Sequence, residues 1–88
     1  MNSLPKRAES IVVREVCDGI LLLDMRAEKI HQLNATAGFI WRHCDGVASA
    51  ADIAASVAQE FDVEEGTAAR DVEKALSELR TLNLVVAG

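Results

Sequence analysis

The sequence is poor in the residues that mark secreted or membrane-spanning chains. Only two cysteines occur among 88 residues, Cys17 and Cys44, which are too few and too far apart for a disulfide framework. A reducing, cytoplasmic location is therefore expected. No apolar run approaches the roughly 20 residues of a membrane helix, so no membrane partner is expected. No apolar segment follows Lys6 and Arg7, which argues against a secretion signal.

Negative charge is concentrated in the second half of the chain. Residues 1–47 carry six basic and six acidic side chains, whereas residues 48–88 carry three basic side chains against eight acidic ones. The net charge of −5 therefore belongs to residues 48–88. A phosphate-binding face needs clustered lysine and arginine, so nucleic-acid binding is not expected. The acidic half is either a solvated surface or a docking site for a basic partner.

Half of the residues are apolar, which predicts a folded chain, and the first half predicts three β-strands. The segments 11–16, 20–25 and 28–33 are rich in β-branched or other apolar side chains. Asp18-Gly19 predicts a type I′ turn between the first two strands. The third segment mixes polar with apolar residues, which is typical of the edge of a sheet.

Three helices are predicted after the strands, because apolar residues recur there at helical spacing. Asn34 and Ser49 are suitable N-caps for the first and second helices, and Asp52 completes a capping box with Ser49. Asn83 tolerates the left-handed conformation that ends the third helix. Trp41 is predicted to lie in the core. Phe39 lies off the apolar stripe of the first helix, so it either packs under the sheet or stays exposed for a partner.

The element order β-β-β-α-α-α predicts an α+β fold built on a three-stranded antiparallel meander. Residues 1–10 are polar and are expected to form a flexible N-terminal arm. Residues 11–88 are expected to form a single domain, because no linker or repeat interrupts them. A domain of this size leaves little room for an enzyme cleft, which favours a binding module.

No arrangement of residues marks a catalytic or metal site. The candidate groups are Cys17, His31, His43 and Cys44, but strong zinc patterns need paired ligands such as C-x₂-C. Cys44 belongs to the apolar stripe of the first helix, and His43 points to another side of it. The five glycines are dispersed, so no phosphate-binding loop is present. We therefore expect no enzyme activity, no metal and no cofactor.

Short motifs follow one another in a characteristic order along the chain. They are Ile30–Asn34 running into Ala35–Trp41, Cys44-Asp45-Gly46 before a helix at Ala51–Ala54, and Asp71-Val72 before Leu76, Leu79 and Leu84-Val85. From Ile11 to Val86 this order resembles the PqqD-like family, named for the pyrroloquinoline quinone biosynthesis protein D. The segment 23–27 is more similar to lasso-type and general family members than to the pyrroloquinoline quinone proteins themselves. Pyrroloquinoline quinone, lasso-peptide and other pathways therefore stay open.

The resemblance implies a winged-helix-like, non-catalytic domain that recognises the leader segment of a ribosomally synthesised precursor peptide. In that family the leader adds as a strand to the edge of the third strand and lies against the third helix. The domain then presents it to a modifying enzyme, either a radical-SAM protein or a leader peptidase. By position, the resemblance implies a peptide-binding site made of Lys29, Ile30, His31, Gln32, Leu33, Asp71, Lys74, Ala75 and Glu78.

Other interpretations of these residues and of the whole chain stay open. Ile30 or Leu33 is alternatively a core residue, and Asp71 is alternatively only a charge early in the third helix. Lys74 and Glu78 alternatively form a solvated pair on one helix face. A winged-helix DNA-binding regulator is a second hypothesis, although the helix at 49–61 contains no lysine or arginine. A structural subunit of an enzyme complex is a third. An exposed sheet edge also makes a homodimer one possible assembly.

Overall fold

The computed structural model describes residues 4–87 and has the predicted α+β fold. Three consecutive antiparallel strands precede three helices, so the winged-helix-like order is confirmed. Two short strands, near the two ends of the described chain, form a second sheet. The elements are β1 (Pro5–Arg7), β2 (Ile11–Val16), β3 (Gly19–Asp24), β4 (Lys29–Asn34), α1 (Ala35–Arg42), α2 (Ala50–Phe61), α3 (Glu65–Thr81) and β5 (Val85–Ala87).

The larger sheet has the order β2-β3-β4, with β3 in the middle. Ile20 and Leu22 of β3 are buried on the face that packs against the helices, which we call the inner face. Leu21 and Leu23 are only partly covered on the opposite, outer face. This alternation follows from the two-residue period of a strand. Among the described residues β2 and β4 each pair on one side, so both are sheet edges, as predicted for β4.

Gly19 allows the backbone of β4 to approach β3 closely. The loop between β2 and β3 consists of Cys17 and Asp18, and Asp18 does not have a positive φ. The prediction of a type I′ turn at Asp18-Gly19 is therefore wrong. Gly19 has a φ of 154°, and a Cβ at this position would lie 1.9 Å from the carbonyl oxygen of Leu33. Glycine is therefore required for a contact across the sheet, not for a turn.

The N-caps of α1 and α2 and the left-handed residue after α3 lie where the sequence predicts them, whereas α1 ends at Arg42, with His43 as its C-cap, before Asp45-Gly46. Asn34 Oδ1 accepts a hydrogen bond from the Ala37 N–H at 2.8 Å. Ser49 Oγ accepts from the Asp52 N–H, and Asp52 Oδ2 accepts from the Ser49 N–H, which completes the predicted capping box. Asn83 follows α3 with a φ of 61°. None of the helices within residues 4–87 is long and apolar enough to cross a membrane.

The core lies between the inner face of the sheet and the three helices. Trp41 is buried in it, as predicted. Phe39 is partly buried and packs edge-on against Phe61, with ring centroids 5.3 Å apart, so it belongs to the rim of the core. The most fully buried side chains are Leu22, Ile40, Cys44, Ile53, Val57, Val72, Leu79 and Leu84.

The prediction of a flexible arm over residues 1–10 is wrong for Pro5–Arg7, which form β1 and pair with β5. Residues 1–3 lie outside the described residues. The Arg7 N–H donates to the Cys44 carbonyl at 2.8 Å, and the Gly46 N–H donates to the Pro5 carbonyl at 2.9 Å. A three-residue strand that contains proline and two charged residues has no alternating pattern, and its partner lies at the other end of the sequence. Local sequence therefore did not indicate it.

Candidate functional site

The hydrogen-bond alternation of the sheet determines which backbone groups β4 exposes. The Met25 N–H donates to the Ser10 carbonyl at 3.1 Å, so this directly opposed pair is hydrogen-bonded. Bonded and non-bonded pairs alternate along antiparallel strands, so the pair Val13–Leu22 is not bonded. The Leu22 N–H therefore points away from β2 and toward β4, where Leu22 pairs with His31.

The same alternation along β4 leaves Ile30 and Gln32 with both backbone groups pointing outward, whereas Asn34 contributes only its N–H group, because its carbonyl group begins α1. The N–H and carbonyl groups of Lys29, His31 and Leu33 point to β3. Those of Ile30 and Gln32 point to the open side, where no strand in residues 4–87 pairs with them. We call these two N–H groups and two carbonyl groups the β4 edge. Together they are the hydrogen-bonding complement of one additional strand.

The side chains of β4 divide between the two faces of the sheet. Ile30 is 68% exposed on the outer face, and Gln32 is exposed beside it, so Ile30 is not a core residue. Leu33 is only 7% exposed and belongs to the core, which removes its side chain from the predicted site. His31 is partly buried on the inner face, and its Nε2 atom is buried without a hydrogen-bond partner in residues 4–87. Lys29 is exposed.

The four predicted helix residues line one groove of about 310 Å³ between α3 and the start of α1. Because their spacing follows the helical period, they share one face of α3. Asn34, at the end of β4, brings the groove into contact with the strand, but Ile30 and Gln32 lie on the outer face and do not line it. The groove is lined by Asn34, Thr36, Ala37, Ile40, Asp71, Lys74, Ala75 and Glu78.

Sequence reasoning missed the wall of this groove that α1 contributes. Thr36 and Ala37 follow the N-cap Asn34 directly and occupy the first turn of α1. Their small side chains carried no signal beyond helix formation. A larger cavity of about 540 Å³ lies between β1 and the β3–β4 turn, but none of the predicted site residues lines it.

The α3 groove carries charges that are available to a ligand. Lys74 lies between Asp71 and Glu78 along the helix, and all three side chains belong to exposed residues. In the described part of the chain Lys74 forms no ion pair. Cation and carboxylates can therefore pair with charges of either sign on a bound peptide.

The histidine and the cysteine that follow α1 have structural roles. Burial raises the pKa of the Cys44 thiol to about 11, and its Sγ donates to the Ile40 carbonyl at 3.2 Å. His43 Nδ1 donates to the Phe39 carbonyl at 2.8 Å, and the two rings stack at 4.1 Å. Cys17 is exposed in the hairpin loop. Within residues 4–87 no three histidine, cysteine or acidic side chains cluster as metal ligands would.

Comparison with known proteins places the fold and the family. None of the curated proteins matches the chain. The structure "Lasso peptide synthetase B1 complexed with the leader peptide" is 28% identical, with a TM-score of 0.80, and the match covers 96% of this chain and 99% of that one. The structure "TbiB1 in Complex with the TbiA(beta) Leader Peptide" shares the fold at 22% identity, with a TM-score of 0.78 and coverage of 91% and 93%. Residues 19–85 match the family model of coenzyme PQQ synthesis protein D, and the chain therefore belongs to the PqqD family.

Proposed function

We propose that this protein binds the leader segment of a ribosomally synthesised precursor peptide and presents it to a separate modifying enzyme. The observation that carries the proposal is the open β4 edge, which ends beside the charged α3 groove. Support also comes from the two similar structures, which are both described as complexes with a leader peptide.

The backbone of β4 supplies the sequence-independent part of the proposed recognition. A leader that extends the sheet exchanges hydrogen bonds with Ile30 and Gln32, whose N–H and carbonyl groups face outward. Each such bond contributes about 1 kcal/mol net. The leader therefore gains affinity from its extended backbone, whatever its side chains are.

The side chains around the edge supply the specificity. A strand added to β4 places alternate side chains on the inner side, toward the α3 groove, and the others beside the exposed Ile30. In the groove, Lys74 selects acidic leader residues, and Asp71 and Glu78 select basic ones. Ala75 leaves space at the groove floor for an apolar leader side chain.

Presentation, not catalysis, is the proposed role. The free thiol of Cys44 is buried with a raised pKa, so it is unsuited to nucleophilic attack. The chemical step then belongs to a partner, a radical-SAM enzyme or a leader peptidase, and the assembly acts in the cytoplasm. A short precursor gene beside one of these enzymes would identify the pathway.

The alternative functions have weaker support. A DNA-binding regulator would carry basic side chains on its recognition helix, whereas α2 contains acidic residues and no lysine or arginine. A purely structural subunit would not need the open β4 edge beside a charged groove, and it would not respond to short precursor peptides. Titration with such peptides separates it from the proposed function.

Proline substitution tests the proposal. Gln32→Pro removes an outward N–H and should weaken binding of a labelled leader about tenfold or more without unfolding the protein. Gln32→Ala should bind within a few fold of the parent. His31→Pro removes an N–H that bonds to β3 and should disrupt the sheet. The measurement is fluorescence titration, with circular dichroism on each variant. Parental affinity in folded Gln32→Pro would overturn strand addition at β4.

A further inference from the structure

The opposite edge of the same sheet, formed by β2, also has outward-pointing backbone groups. Because the pair Val13–Leu22 is not hydrogen-bonded, the Val13 N–H points away from β3. The same holds for Ile11 and Glu15, two residues away on either side. No strand in residues 4–87 pairs with this side of β2. We call these groups the β2 edge.

A basic groove of about 430 Å³ runs beside the β2 edge. Its described lining residues include two arginines, Arg7 and Arg42, and no acidic residue. Glu15, the nearby carboxylate on β2, already pairs with Arg42 at 3.6 Å. The groove therefore has the opposite charge balance to the α3 groove, which holds two carboxylates and one lysine. Its lining residues are Arg7, Ala8, Ile11, Val13, Trp41 and Arg42.

Contacts within the domain hold the side chain of Arg7 in this groove before any partner binds. The Arg7 guanidinium donates to the Arg42 carbonyl and lies 5.8 Å from the centre of the Trp41 ring. Its backbone is fixed in β1. Apolar surface surrounds it, because Val13 is 37% exposed on the same side of the sheet. Such preorganisation lowers the entropy cost of binding a carboxylate.

We infer that the β2 edge binds an extended, acidic segment of a partner protein, in which carboxylates alternate with apolar side chains. The inference rests on the proposed function, since the partner it names is the protein that acts on the captured precursor. The leader then extends the sheet at β4 while the partner segment extends it at β2. With β3 between the two edges, both strands bind at the same time.

A second copy of this chain fits the β2 edge less well than an acidic segment does. Pairing of two β2 strands would bring Arg7 and Arg42 of both copies to one interface. Glu15 balances Arg42 within each copy, and no other carboxylate on β2 is left to pair with Arg7. An acidic segment supplies the missing negative charge, which is why we assign the edge to it.

The test uses the intact protein and a short fluorescent peptide in which valine alternates with glutamate. The control peptide alternates valine with lysine. We expect the glutamate peptide to bind at least about tenfold more tightly, with an affinity that falls as salt is added. Val13→Pro should weaken this binding about tenfold while leader binding and circular dichroism stay unchanged. Gln32→Pro should weaken leader binding and leave binding of the glutamate peptide unchanged. The two variants therefore distinguish a failure of the β2 proposal from a failure of leader binding at β4.

A charge variant covers the case in which Val13→Pro does not fold. Arg42→Glu should weaken binding of the glutamate peptide about tenfold, whereas Arg70→Glu, an exposed reversal outside both grooves, should not. Equal binding of the two peptides, or parental affinity in both Arg42→Glu and folded Val13→Pro, would overturn the inference. A dimer in sedimentation that Val13→Pro dissociates would assign the edge to a second copy instead. Competition for binding between the glutamate peptide and the leader would place both peptides on one edge, and would also contradict the inference.

Discussion

Trp41 Nε1 donates a hydrogen bond of 2.9 Å to the carbonyl oxygen of Leu84, and so joins α1 to the segment that enters β5. Both residues are buried. Trp41→Ala leaves a cavity and an unpaired carbonyl, and should lower the free energy of unfolding by about 3–5 kcal/mol. Trp41→Phe keeps most of the volume and should cost less than alanine. Urea denaturation measures both, and a loss below about 1 kcal/mol for alanine would contradict the core position.

Two glycines with different surroundings form a matched pair of substitutions. Gly19→Ala places a Cβ 1.9 Å from the Leu33 carbonyl oxygen, so β3 and β4 must move apart. It should therefore lower stability and leader affinity together. Gly66→Ala in α3 meets no atom within 4 Å and should raise stability by up to about 1 kcal/mol. Thermal melts that rank the two variants in the opposite order would show that the β3–β4 contact is not as close as described.

Charge reversal on α3 tests the groove separately from the strand edge. Lys74→Glu reverses a groove charge on an exposed helix position, so it should weaken leader binding about tenfold while the melting temperature stays close to that of the parent. Glu73→Lys reverses the neighbouring charge outside the groove and should leave affinity unchanged. Isothermal titration of both variants distinguishes the groove from a general charge effect. Equal responses would remove Lys74 from the site.

The buried thiol predicts an alkaline loss of stability. Burial raises the pKa of Cys44 from 9.0 to about 11 in the folded protein. The unfolded chain loses this proton above pH 9, while the folded chain keeps it until about pH 11. The stabilisation is therefore complete below pH 9 and is lost as the pH rises toward 11. The difference in free energy of unfolding between the parent and Cys44→Ala should shrink over this range, and a constant difference would contradict the assignment.

The sequence predicted the larger sheet, the three helices and the capping residues Asn34, Ser49 and Asn83, because each depends on neighbouring residues. The Ser49–Asp52 capping box and the left-handed Asn83 are local signals of this kind. β1 was missed because its stability comes from β5, at the far end of the chain. The sequence predicted a turn at Gly19, whereas glycine is needed there because β4 lies close to it. That contact depends on the register of β4, which local sequence does not show.

The candidate site was predictable only in part, because some of its features depend on contacts between residues that are distant in the sequence. The shared face of Asp71, Lys74 and Glu78 follows from helical spacing. The sequence did not say which of the adjacent residues His31 and Gln32 points its N–H outward, because that depends on the pairing of β2 with β3. The sequence also did not show whether the side chain of Leu33 belongs to the core or to the binding site. Packing against the helices places it in the core.

Amide hydrogen exchange at the β4 edge tests the central proposal most directly. In the free protein, the Ile30 and Gln32 amides should exchange quickly, because both point to the open side, whereas His31 and Leu33 should be protected by bonds to β3. On addition of the leader peptide, Ile30 and Gln32 should become protected, and the other two should stay as they were. Nuclear magnetic resonance resolves the four amides individually. Unchanged exchange at Ile30 and Gln32 in a saturated complex, or new protection at Val13 instead, would contradict strand addition at β4.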